Sequence, residues 1–261
     1  MFSVFCGLAC LHYNLRSTAL DVPYFHNEDT AGITYSADLI RRGGLPLIDT
    51  VEMKAPGSFY LLSAWWSMVG RSLYSAQLLM ILWSLLAALG VGYGAWLLYR
   101  SRGAAIAGCA LYIYLSPFTD SIDINYGAWM ITPYIWAACL LWRGLNIDET
   151  QMSAGPLNDD DRLQRIITWS IAGSLIAVSA LMKRQGAAIF PLAIWIIYRH
   201  HRQRQIAMYA LFCGLGMSFA LFFMPYLLEG ELWGAMKSYF FSKSGWSYLA
   251  SDLVVTPLKS P

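Results

Sequence analysis

Long apolar runs, almost free of charge, alternate with short polar stretches along this chain. The runs cover 1–13, 75–99, 103–118, 128–142, 166–182, 186–198 and 206–228. A helix crosses a bilayer core with about 20 apolar residues, and ~17 is near the lower limit. Three or four of the runs meet that limit and the others come close. The pattern predicts an all-α integral membrane protein with about seven transmembrane helices. Two segments between the first and second runs follow a different pattern. Within the polar region 14–51, residues 30–42 (TAGITYSADLIRR) alternate apolar and polar positions at helical spacing and close with Gly43-Gly44. That predicts a short amphipathic helix on the membrane surface, stopped by glycine. The following SFYLLSAWWSMVG is apolar for only 13 residues. It is too short to span comfortably, and its Tyr and Trp suit the interface. A second surface or half-inserted helix is expected there. The organisation is then a single transmembrane domain over 1–261: a first helix (1–13), an external loop with surface helices (14–74), a helical bundle (75–229) and a further external segment (230–261).

Charge sets the orientation. If residues 58–70 do not cross, the short loops 100–102, 143–165 and 199–204 share one face and carry two, three and three arginines, eight in all. On the other face, loop 119–127 has no Lys or Arg, and Lys183-Arg184 supply two. Positive charge marks the cytoplasmic side, so the polar loop near the N-terminus, Asp120, Asp123 and Lys183 face outward. A crossing by 58–70 would separate the acids of that loop from Lys183. The composition agrees with life in lipid: 57% of residues are hydrophobic and 13% charged, against about 25% charged in a soluble domain. A net charge of +2 with no basic run points to no nucleic-acid partner. The five cysteines sit in apolar segments without CxxC spacing and read as small packing residues. The opening MFSVFCGLACLHY lacks the basic region of a cleaved signal peptide and reads as a first spanning helix whose start lies upstream. Residues 146–164, with Asp159-Asp160-Asp161, read as a solvated cytoplasmic loop rather than a metal site. His200 and His201 belong to the inside charge signal, and His26 is a loop residue.

The chemistry concentrates in HNEDTAGITYSADLIRRGGLPLIDTVEMKAPGSFYLL, residues 26–62. An adjacent acidic pair, Glu28-Asp29, precedes the amphipathic helix. Gly43-Gly44 ends it, and Glu52-Met53-Lys54-Ala55-Pro56-Gly57 leads into the aromatic segment. In this order and spacing the stretch resembles the first external loop of the glycosyltransferase C superfamily, in its dolichyl-phosphate-mannose–protein mannosyltransferase and aminoarabinose transferase branch. LMKRQG at 181–186 is similar to the family's Lys-containing turn, which meets a lipid-linked phosphate. The resemblance covers most of the chain, which corresponds to the N-terminal portion of such enzymes. It implies transfer of a sugar from a polyprenyl-phosphate donor to an acceptor outside the cytoplasm, in a bacterial inner membrane or an equivalent one. Inverting transfer needs a carboxylate to take the acceptor's proton and cations to hold the departing phosphate. The resemblance assigns the base to Glu28 or Asp29, without choosing between them. Glu52 would be a further acid lining the pocket, and Lys54, Lys183 and Arg184 would bind the donor.

Plainer roles compete at each position. Glu28 and Asp29 also suit the N-terminus of the helix that follows. Glu52 and Lys54 also make a solvated pair, and Lys183 and Arg184 also suit a helix end at the interface. The family places another acid where Gly127 stands, and Asp120 or Asp123 would have to substitute. Three or four outward acids could coordinate Mg²⁺ or Mn²⁺, but the spacing does not demand it and no metal is assigned. A second function class is a non-enzymatic transporter or flippase subunit for lipid-linked sugars, to which Pro133, Pro191 and Pro225 in or near helices would be suited. A third is an inactive fragment. The sugar and the acceptor are not written in the sequence.

Overall fold

The structure, a computed structural model, describes residues 6–14, 28–50, 54–116, 124–151, 159–200 and 204–241. Among these the secondary structure is helical, with no strand. Helix α1 covers 6–14. It is followed by α2 (Glu28–Arg41), α3 (Pro46–Asp49), α4 (Gly57–Val69), α5 (Leu73–Tyr99), α6 (Arg102–Leu115) and α7 (Tyr126–Gln151). Next come α8 (Asp159–Met182), a 3-10 turn (Arg184–Ala188), α9 (Ile189–His200), α10 (Arg204–Leu228) and α11 (Leu232–Phe241). Among the described residues three helices are long and apolar enough to cross a membrane: Leu73–Tyr99, the Arg162–Met182 part of α8, and Arg204–Leu228. At 1.5 Å per residue they reach roughly 40, 31 and 37 Å. The apolar run 103–118 becomes a helix of 14 residues and the run 186–198 one of 12, about 21 and 18 Å long.

Helices α6, α5, α7, α8 and α10 pack side by side in that order, and α9 lies against α7 and α10. Small residues bring the backbones close. A Cβ on Gly173 would run into the Leu211 carbonyl, and one on Gly214 into the Ser170 carbonyl. Ser174 Oγ donates to the Gly214 carbonyl at 3.0 Å across the same seam. Such small-residue contacts are how helices associate where no water drives them together. Polar side chains stitch the other pairs through backbone carbonyls: Trp83 Nε1 donates to Trp129 O at 3.0 Å, Thr132 Oγ1 to Trp83 O at 3.1 Å and Ser179 Oγ to Met130 O at 3.2 Å. His12 of α1 docks on α5, with Nε2 3.1 Å from Ile81 O and 2.7 Å from Ser84 Oγ. The outer faces stay apolar: Leu82, Leu111, Trp195, Tyr209, Phe212, Met217 and Leu221 are all exposed. A water-soluble domain rarely leaves a continuous apolar belt of that kind.

The segment 28–70 forms a cap across one end of the bundle. Helix α2 ends as the sequence predicts: Gly43 takes φ 87°, Gly43 N donates to Ile40 O and Gly44 N to Leu39 O, each at 3.0 Å. These are the two bonds of a Schellman stop. The face of α2 carrying Ile33 and Ala37 packs on Phe59, Leu62 and Trp66 of α4 and joins Met80, Trp129 and Met182 in one core. The cap is therefore continuous with the bundle. A second core ties Leu47 and Ala55 to Leu181, Phe223, Tyr226 and Tyr239.

Two expectations change. Among the described residues of 146–164, α7 runs on to Gln151 and α8 begins at Asp159. The three aspartates therefore open a helix, where acids complement the positive end of its dipole. In the segment from 230, α11 packs on α3. Of the cysteines, Cys139 is buried and its Sγ donates to Gly90 O at 3.3 Å, but Cys10 and Cys213 are exposed and fill no core.

Candidate functional site

The site is built at the first turn of α7. Asn125 caps that helix: its Oδ1 accepts from Ala128 N at 2.8 Å, which satisfies one of the amides a helix start leaves unpaired. Ile124, just before it, is fully buried, and its carbonyl accepts from Thr30 Oγ1 at 3.2 Å. That bond fixes the start of α2 beside the start of α7. Asp29 lies one residue before Thr30 and pairs with Lys54. The Lys54 ammonium sits over the Tyr126 ring, 4.9 Å from its centroid, a cation–π contact.

Lys183 arrives from the other side. Helix α8 stops at Met182, and Lys183 is extended (φ −155°, ψ 132°) before the 3-10 turn. Its Nζ lies 3.9 Å from where a Cβ on Gly127 would be, and Asn125 Oδ1 lies 3.2 Å from that point. Two lysines, one from the α3–α4 connection and one from the end of α8, thus meet the first turn of α7. Cations at a helix N-terminus oppose the dipole, and Lys54 is held there by the Tyr126 ring and Asp29. An anion bound at that turn would meet both ammonium groups and the positive helix end together.

Two features lock the arrangement. A Cβ on Gly57 would stand 2.6 Å from the Leu181 carbonyl oxygen, so only glycine lets the start of α4 rest on the end of α8. Gly186 is equally close to Ser179, which turns the chain sharply after Lys183. Arg184 goes elsewhere: its guanidinium lies 6.0 Å from the Tyr239 ring of α11. Burial pushes the Tyr239 phenol up to about 12 from an ordinary 10.0, with Arg184 acting against that rise.

The structure therefore brings Asp29, Lys54 and Lys183 together and directs Arg184 to α11. Glu28 is the first residue of α2. Glu52 and Asp123 lie outside the described residues, as do Asp120, His26 and His201. Asn125 and Tyr126 are the participants that the sequence reading passed over. An Asn directly before an apolar helical run is an N-cap signature and would have marked position 125, whereas no local pattern announces the ring beneath Lys54. Among the described residues no group of three or more His, Cys, Asp or Glu side chains could hold a metal ion.

A cleft of about 520 Å³ lies nearby, lined by Gly43, Gly44, Leu45 and Tyr60 of the cap and by Leu221, Met224, Leu228 and Glu229 at the end of α10. Leu221 and Leu228 are also exposed on the outer face of α10, so the cleft is continuous with the apolar belt. Comparison with protein-family models, with curated proteins and with solved structures finds no match to this chain.

Proposed function

We propose that this chain is a multi-pass membrane glycosyltransferase that moves a sugar from a polyprenyl-phosphate donor to an acceptor on the extracytoplasmic face. One observation carries the reading: Lys54 and Lys183, far apart in sequence, meet at the first turn of α7 with the Asp29 carboxylate alongside. In the reaction the acceptor gives its proton to a carboxylate of the 28–29 pair as it bonds to the anomeric carbon. The bond from that carbon to the phosphate oxygen breaks on the opposite side, and the lysines hold the growing phosphate charge. The apolar cleft beside Tyr60 and the end of α10 offers room for part of a lipid chain. The three long apolar helices and the exposed belt support insertion in a membrane. Seven crossings follow if α1, α6, α7 and α9 complete the set, in a bacterial inner membrane with the arginine-rich ends in the cytoplasm.

The test is sugar transfer from a polyprenyl-phosphate donor by Asp29→Asn, Lys54→Met and Lys183→Met variants reconstituted in vesicles. Loss of transfer in Lys183→Met with folding intact is the expected result. Wild-type rates in all three variants overturn the reading. A transporter or flippase subunit for the same lipids is the second reading, favoured by the break between α8 and α9 and by Pro133 and Pro225 inside helices. Lipid flipping without transfer in the same vesicles would decide for it.

A further inference from the structure

The cap holds a second pocket, built from a different stripe of α2. Ala31, Thr34, Tyr35 and Asp38, at the spacing of one helix face, join Trp66, Arg71, Ser72 and Leu73 around a cavity of about 410 Å³. Asp38 is buried and receives two guanidinium groups: Arg71 Nε lies 3.0 Å from Oδ1, and an Arg42 terminal nitrogen 2.6 Å from Oδ2. One carboxylate against two arginines leaves a single positive charge in excess. Arg71 lines the cavity, meets Asp38 through Nε and remains 55% exposed, so its five-donor fork is not used up by Asp38. Thr34, Tyr35 and Ser72 add hydroxyls around the same space.

The position of the pocket defines what can reach it. It sits at the first turn of α5, one of the three helices long enough to span. Beside it Met68, Val69 and Tyr74 are exposed, Met68 at 75%. A ligand there meets the Arg71 cation at its head and an apolar surface at its flank. We propose that this pocket seats the phosphate headgroup of an anionic membrane phospholipid, with Arg71 as its main contact and the acyl chains along Met68, Val69 and Tyr74. Asp38 pairs with both arginines and ties α2 to the α4–α5 corner, while its charge opposes the ligand's. The proposal rests on the membrane reading above, but not on the transfer reaction.

The experiment is lipid binding to the full chain in detergent, followed by native mass spectrometry with phosphatidylglycerol and phosphatidylcholine as probes. About tenfold tighter binding of phosphatidylglycerol is expected, because both lipids offer Arg71 a phosphate but the choline cation of phosphatidylcholine is repelled by the excess positive charge. Arg71→Gln should erase that preference and Arg71→Lys should keep part of it. Asp38→Asn removes the opposing carboxylate, so it should keep or raise the preference even where it lowers thermal stability. Equal binding of the two lipids, an unchanged preference in Arg71→Gln, or loss of the preference in Asp38→Asn would overturn the proposal. So would inorganic phosphate displacing the lipid at equal concentration, because the ligand would then be a soluble anion. Failure of the chain to stay in vesicles after alkaline washing would refute the membrane reading itself, a result separate from any of these.

Discussion

The cap and the bundle are held together by different forces. In the cap, Asp29–Lys54, Asp38–Arg42 and Asp38–Arg71 pair across turns and helices, and Phe59, Leu62 and Trp66 are buried as in a water-soluble core. In the bundle, glycines and serines set the close spacing and indole or hydroxyl groups donate to backbone carbonyls. Large apolar side chains such as Leu141, Trp169 and Ile176 are buried between helices, and others such as Leu111, Phe212 and Leu221 point outward. Only 33% of the apolar window of α10 is buried within the protein, against 61% for α8. On the proposed membrane reading, lipid would cover the outer surface of the bundle, and close backbones would matter there more than hydrophobic burial. A cap that meets water at its rim can use ion pairs, and it is where the charged chemistry gathers.

That contrast can be broken deliberately. The largest effect is expected on function from the cap side: Lys183→Met should lower sugar transfer about 10²- to 10³-fold, as removal of one preorganised charge donor does elsewhere, with thermal unfolding in detergent nearly unchanged. Next comes Gly214→Val in the bundle, which places methyl groups against the Ser170 carbonyl and should cost about 3 kcal/mol, read as a fall in Tm or in folded yield. A smaller change is expected from Trp83→Phe. It keeps most of the ring packing but removes the hydrogen bond to Trp129 O, worth about 1 kcal/mol. Smallest is a pH effect on α11. Tyr239 holds its proton up to about 12 and an unfolded tyrosine to 10.0. Docking of α11 should therefore be constant below pH 10 and weaken as pH rises through the window from 10.0 to about 12. Proteolysis within α11 across that range would show it, and equal cutting at pH 9 and 11 would contradict it.

Much of this was legible in the residues. Periodicity and a Gly-Gly stop gave α2 and its end, because the stop needs only a left-handed glycine and two local bonds. Apolar run length gave α5, α8 and α10. The order of acids and lysines singled out Asp29, Lys54 and Lys183 before their proximity was visible. The rest depends on contacts across long sequence separations. The ring of Tyr126 under Lys54, the diversion of Arg184 to Tyr239, and the pairing of Asp38 with Arg71 are set by how helices meet, and no window of neighbouring residues encodes them. The α7–α8 boundary was misread for another reason. A polar acidic stretch looks like loop by composition, yet acids at a helix start are favourable, and Asp159–Asp161 used that preference.

The contact of Gly57 with the Leu181 carbonyl also works as a yoke. Lys54 stands three residues before the one and Lys183 two residues after the other, so a single point of backbone touch sets the gap between the two ammonium groups. Any tilt of α4 on α8 carries both cations with it. In the proposed site the pair would act as a caliper, and the size of anion it could accept would be decided by one missing methyl group.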